Sequence, residues 1–215
     1  MGEPVAEGDL VAVVLGVACG ACYFCAVLRE PGLCAQGAAR AAGVHQTIVG
    51  GAPASRLELA EEFVADLTID IEKVPDSAER IALVKEATPG VYGPDALFEC
   101  TGVPQSLPKS IRMLRRGGTY VESGHFTNAG DVTLNPHFHF VRNHITLVGV
   151  WVSSLSHFVR GGPILESGRY PFEKMVSHRL PLEGRGDAIQ PLSTNHRLNK
   201  VEARKIAILA HPKES

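Results

Sequence analysis

No long apolar run occurs in this sequence, no excess of one charge, and no Gly-x-Gly-x-x-Gly. Each absence excludes something. A bilayer-spanning helix needs about 18 or more consecutive apolar residues, and none of the 215 positions begins such a run. The 21 basic and 23 acidic side chains leave a formal net charge of -2, which gives no general attraction to nucleic acid or an anionic membrane. The first residues, Met1-Gly2-Glu3-Pro4, are acidic where a secretory leader is basic, so a cytoplasmic location is expected. Gly184 and Gly186 are the only glycines spaced by two, and Ile189 stands where a third glycine would complete a pyrophosphate-cradling loop. What remains is an ordinary globular composition, 45% hydrophobic, enough for one large domain or a domain with an appendage.

Apolar and turn signals alternate along the chain. Residues 8–17 read as a buried strand leading into a cysteine-rich lobe. Residues 37–43 look like the end of a helix, closed by Gly43. A strand is expected at 45–49, then a helix starting near Pro53 with Ser55 as its cap, and another strand at 67–71. Further helices are expected at 77–87, 105–116 and 157–167, with strands at 96–100, 120–121 and 145–151. Strands at 179–182 and 204–209 follow, and 184–199 carries few helical signals. Strand–helix alternation of this kind predicts right-handed βαβ units and a parallel sheet.

The five cysteines are unevenly spread. Cys19, Cys22, Cys25 and Cys34 cluster, while Cys100 lies alone in an apolar run. A disulfide scaffold spreads its cysteines through a short secreted chain, so the cluster points instead to zinc or another thiophilic metal. Two-residue gaps let the backbone curl around an ion, and the longer gap containing Pro31 and Gly32 returns the fourth thiolate. A bacterial iron–sulfur run closes differently. Four thiolates close the coordination shell, so this metal would be structural.

These motifs together resemble the zinc-containing medium-chain alcohol dehydrogenases. Gly8-Asp9-Leu10-Val11 ahead of the cysteines is similar to the family's structural-zinc lobe, with the last cysteine gap one residue longer. Residues 38–49, 55–60 and 65–69 resemble the helix and strands that follow the family's glycine-rich loop. Phe98-Glu99-Cys100-Thr101-Gly102 and the run from Arg116 to Gly124 resemble strands that end beside the cofactor. The resemblance implies an α/β fold: an incomplete Rossmann-like parallel sheet, a structural-zinc lobe and a remnant of a GroES-like catalytic domain. It implies a catalytic-domain remnant with the zinc lobe at 1–36, a partial nucleotide-binding domain at 37–175 and a return segment of the catalytic domain at 176–215.

It further implies structural zinc on Cys19, Cys22, Cys25 and Cys34, and NAD or NADP beside Gly50, Gly51, Ser55, Arg56, Thr101, Gly102, Gly124 and His125. Gly50-Gly51 stands where NAD-selective folds place an acidic residue, so the choice between the two cofactors stays open. The family reaction is NAD(P)-dependent oxidation of an alcohol or polyol, and a homo-oligomer is expected because a deletion would leave apolar surface exposed. Against the family pattern the chain reads as truncated and internally deleted. The first strand and the glycine-rich loop belong between Cys34 and Ala38, and no set of catalytic-zinc ligands is evident, so no catalytic residue is assigned. His137 and His139 alternate after Pro136 and are a weak candidate metal pair. The expectations are therefore weak or absent cofactor binding, no turnover by this chain alone, and the strand at 45–49 exposed as a sheet edge. The alternative is a non-catalytic zinc-binding or interaction module, or a deletion product without function.

Overall fold

The computed structural model describes residues 10–14, 44–63, 65–125, 127–151, 163–193 and 197–209. The chain divides into two compact units, one up to Tyr170 and one from Pro171.

The first unit is built on a six-stranded parallel sheet. Its strands are β1 (Leu10–Val14), β2 (Gln46–Gly51), β3 (Leu67–Asp70), β4 (Ala96–Glu99), β5 (Thr119–Glu122) and β6 (Thr146–Gly149). They lie in the order β3-β2-β1-β4-β5-β6, with every neighbouring pair parallel. This is the doubly wound order in which the chain first builds outward from β1 on one side and then crosses to build on the other. The parallel α/β, Rossmann-like class is thus observed.

One expectation is corrected. Leu10–Val14 lies between β2 and β4, pairing with both, where the first strand of the sheet was expected to be missing. The central first strand is therefore present, and β2 is an interior strand rather than an edge. The sequence basis is plain: Leu-Val-Ala-Val-Val is apolar at every position, as suits a strand covered on both faces.

Side chains alternate across the sheet as the pleat requires. Ile48, Leu97 and Tyr120 share one cross-strand row through Ala12, and all three belong to one core. Helix α2 (Ser77–Glu86) adds Ile81 and Val84 to this face, and the helical segment 104–113 adds Leu107, Ile111 and Met113. Val49 and Ala96 face the other way, where helix α1 (Ala54–Glu62) covers them with Leu57 and Ala60. Asp76 caps α2 by accepting from the Ala78 amide. At α1 the N-cap is Pro53 with no side-chain hydrogen bond, so Ser55 is not the cap. The expected helix over 105–116 is shorter: 3-10 turns flank a single α-helical turn, α3 (Leu107–Ser110).

After β5 comes α4 (Pro136–His139), one helical turn entered through Asn135, whose side chain accepts from the Phe138 amide. That turn corrects the expectation of an extended segment there. Residues two apart on a helix diverge, so His137 and His139 do not share a face.

The second unit pairs β7 (His178–Pro181) with β10 (Ile206–Leu209) in parallel and holds a small core of Ala188, Ala203 and Ile206. Arg185–Ser193 forms helix α5, contrary to the expected lack of helix. A short antiparallel pair, β8 (Arg197–Leu198) with β9 (Val201–Glu202), follows it.

Candidate cofactor-binding edge

The registers align the carboxyl ends of the strands in one row: Ile69, Gly50, Val14, Glu99, Glu122 and Gly149. In parallel α/β sheets ligands bind beyond these ends, at the crevice where the strand order reverses. Here that crevice lies between β1 and β4, beside Val14 and Glu99. Two spans of the expected cofactor neighbours flank it. Gly50 and Gly51 end β2, with Ser55 and Arg56 in the first turn of α1. Thr101, Gly102, Gly124 and His125 follow β4 and β5. Gly50 and Glu99 are separated by β1, two strand spacings or about 10 Å.

The β4–β5 side of the edge is organised by a carboxylate. Glu99 is wholly buried, and its Oε1 accepts from the Thr101 amide at 2.8 Å, the Ser106 hydroxyl at 2.8 Å and the Thr101 hydroxyl. A buried carboxylate is tolerable only with such donors around it. Its other oxygen faces Gly124, where an added Cβ would sit 2.1 Å from it and 2.5 Å from the Gly102 nitrogen. Gly124 is therefore required for the two strand-end loops to meet, and Gly102 makes its turn at φ 69°.

Glu122 lies beside Glu99 in register, so two carboxylates share one face of adjacent strands. His125 Nδ1 is 2.8 Å from Glu122 Oε1 and 3.8 Å from Glu99 Oε2. The Gly124 and His125 amides also donate to Glu122 Oε1, at 3.1 and 3.3 Å. Burial raises the Glu122 pKa above its ordinary 4.5; the His125 hydrogen bond opposes the rise and the neighbouring Glu99 charge adds to it. Glu122 Oε2 and His125 Nε2 are buried without a hydrogen-bond partner. Among the described residues Glu99, Glu122 and His125 are the group able to gather ligand atoms around one point, all within 4.8 Å of one another.

The sequence reading named Thr101, Gly102, Gly124 and His125 but passed over Glu99 and Glu122. Their signal was available: each is a carboxylate closing an otherwise uncharged strand, immediately before a small-residue turn. Among the described residues, a Cβ added at Gly50 would meet only the Ile69 carbonyl, at 4.0 Å. Cys19, Cys22, Cys25 and Cys34 lie outside the described residues.

Residues 32–162 match the family model described as zinc-binding dehydrogenase. The chain belongs to the zinc-binding dehydrogenase family. The curated proteins it is similar to include polyol dehydrogenases. It is 30% identical to D-arabinitol dehydrogenase 1 of Uromyces fabae, over 71% of this chain and 42% of that protein. It is 32% identical to erythritol/L-threitol dehydrogenase of Mycolicibacterium smegmatis, over 59% and 33%. With sorbitol dehydrogenase of Bos taurus it shares 30% identity over 84% and 49%. This zinc-binding dehydrogenase chain thus spans half or less of the length of these relatives. Among solved structures, an alcohol dehydrogenase from Thermotoga maritima superposes with a TM-score of 0.81 at 29% identity, covering 96% of this chain and 51% of the other. No helix among the described residues is long and apolar enough to cross a membrane.

Proposed function

We propose that this chain supplies the dinucleotide-binding sheet of a zinc-type, NAD(P)-dependent dehydrogenase acting on an alcohol or polyol. The observation that carries the reading is the crevice between β1 and β4. On one side stands Gly50, where an added Cβ would meet no described atom nearer than 4.0 Å, and on the other the buried Glu99 network holds Thr101, Gly102 and Gly124 at the edge.

The residues fit such a cofactor. Glycine at the β2 end lets a ribose approach the backbone closely. Glu122 Oε2 is an acceptor and His125 Nε2 a ring nitrogen, both buried and unpartnered, which suits an amide-bearing ring seated against β5. NAD(P), when bound, supplies the hydride acceptor. The chain's own part is to hold and orient it and to keep water from the Glu99–Glu122–His125 cluster. The acceptor carboxylate of NAD-selective folds is missing at Gly50-Gly51, so a 2′-phosphate meets no like charge from these two residues. The chain has no Gly-x-Gly-x-x-Gly to present amides to the pyrophosphate, so the proposed binding is weak.

Structural zinc on Cys19, Cys22, Cys25 and Cys34 belongs to the same reading, because four thiolates form a closed tetrahedral donor set. So does a cytoplasmic location, where thiols remain reduced. So does a homo-oligomer, paired along β6, the apolar edge strand among the described residues.

Calorimetric titration with NAD and NADP tests the cofactor site. Binding of either is expected, with dissociation constants of roughly a millimolar, and Gly124→Val should abolish it. No binding of either, or binding that this substitution leaves unchanged, overturns the site.

A further inference from the structure

At the opposite, amino-terminal ends of β4, β5 and β6 lies a cavity of about 880 Å³ that the cofactor reading does not use. Its wall carries Lys85, Arg112, Arg115, Arg116 and Arg142, and no carboxylate among the described residues lines it. Arg115 is held by Asp95, which stands behind the wall. Arg112, Arg116 and Arg142 are exposed and make no ion pair among the described residues. In a protein whose formal net charge is -2, this is a local concentration of uncompensated positive charge.

The same cavity presents flat apolar surface. Tyr92 is 72% exposed and Phe138 55% exposed, and both line it. Exposed rings beside unpaired guanidinium groups combine stacking with planar anion recognition. The volume suits a small organic ligand.

The floor is rigid. The Arg115 amide donates to the Pro94 carbonyl at 3.2 Å, and the Gly117 amide to the Asn143 carbonyl at 2.8 Å. Gly93, at φ 103°, packs so tightly on Met113 that a Cβ would lie 2.1 Å from its carbonyl oxygen. These contacts tie the loops before β4, β5 and β6 to one another, so the cations are presented from a fixed backbone.

We infer that this cavity is a second ligand site, for a nucleoside phosphate, with Arg112, Arg116 and Arg142 taking the phosphates and Tyr92 and Phe138 the base. It is distinct from the dinucleotide crevice, which lies at the other ends of the same strands.

The probes are ATP, inorganic triphosphate and adenosine, titrated into the whole chain by calorimetry. ATP should bind more tightly than either part alone, and more weakly as salt rises. The surface pair Arg112→Gln/Arg142→Gln should weaken ATP by about tenfold or more, and Tyr92→Ala should weaken ATP but not triphosphate. NAD binding should be unchanged in all three substitutions. Gly124→Val should have the reverse effect, leaving ATP unchanged. ATP binding lost with Gly124→Val and kept in the arginine pair would place the nucleotide in the crevice and overturn the inference. So would triphosphate binding as tightly as ATP, or no ATP binding at low salt.

Discussion

Glu99 shows how one side chain can hold a binding edge together. Its carboxylate satisfies the Thr101 amide and hydroxyl and the Ser106 hydroxyl from a fully buried position. Glu99→Ala removes the acceptor and leaves those donors unpaired, at about 1–3 kcal/mol for each group that stays buried. Urea denaturation should therefore show a loss of roughly 2–4 kcal/mol, with Glu99→Gln, which keeps one acceptor oxygen, losing less. Equal losses for the two would mean that the hydrogen bonds matter little. The small residues of this edge were legible because glycine and threonine after an apolar strand are a local signal. Glu99 and Glu122 were legible one by one as carboxylates closing apolar strands, but their pairing was not, because it comes from being neighbours on adjacent strands and a strand does not reveal its neighbours.

Glu122 carries the pH dependence. Its pKa is raised in the folded protein, first by burial and further by Glu99, with His125 opposing. A raised carboxyl pKa means that the folded state binds the proton more tightly than the unfolded state. The stability this contributes is complete below the unfolded value of 4.5 and is lost as pH rises through the folded value. Glu122→Gln removes that titration. Unfolding free energies measured from pH 4 to 8 should fall with rising pH less steeply in the variant than in the parent. Parallel curves would remove Glu122 as the cause.

At the scale of elements, nearly every strand of the first unit was legible from apolar runs bounded by turns. The order of the strands was not. Leu10–Val14 was recognised as a buried strand, but an unbroken apolar run does not say which sheet it joins. Helix α5 was missed because Gly186 and Pro191 are poor helix formers, so its local propensity argues against it. The edge strand β6 differs from the interior strands. Leu147, Val148, Val150 and Trp151 are 44%, 37%, 47% and 65% exposed, and β6 has β5 as its only partner among the described residues. An exposed apolar strand paired on one side among the described residues is a template for a second copy. The chain should run as a dimer in light scattering, and Val148→Lys should yield a monomer with an unchanged circular dichroism spectrum. A parent protein that stays monomeric at about 100 μM, well above a micromolar dissociation constant, would exclude this edge as an interface.

Across the whole molecule, the proposed zinc and the sheet are linked by connectivity. β1 ends at Val14, between β2 and β4, and Cys19 follows shortly after it. The other three cysteines complete the cluster by Cys34, and the chain re-enters the sheet at Gln46. A metal joining Cys19 to Cys34 closes that stretch into a loop and reduces the entropy of the unfolded chain, as a cross-link does. For a loop of this size the effect is about 3 kcal/mol. Because β1 is central, the stabilisation acts on the whole sheet rather than on the cysteine segment alone. Purified under reducing conditions, the protein should hold one zinc per chain by elemental analysis. Stripping the metal should lower the melting temperature of the sheet, followed by circular dichroism, by roughly 5–10 °C. Cys19→Ser and Cys34→Ser should reproduce the loss without a chelator. Cys100→Ser should keep the zinc, since Cys100 is buried at the end of β4 beside the Ser123 hydroxyl and outside the cluster. A melting temperature indifferent to zinc would separate the cysteines from the sheet. Zinc retained by Cys19→Ser/Cys34→Ser would point instead to the Glu99–Glu122–His125 group.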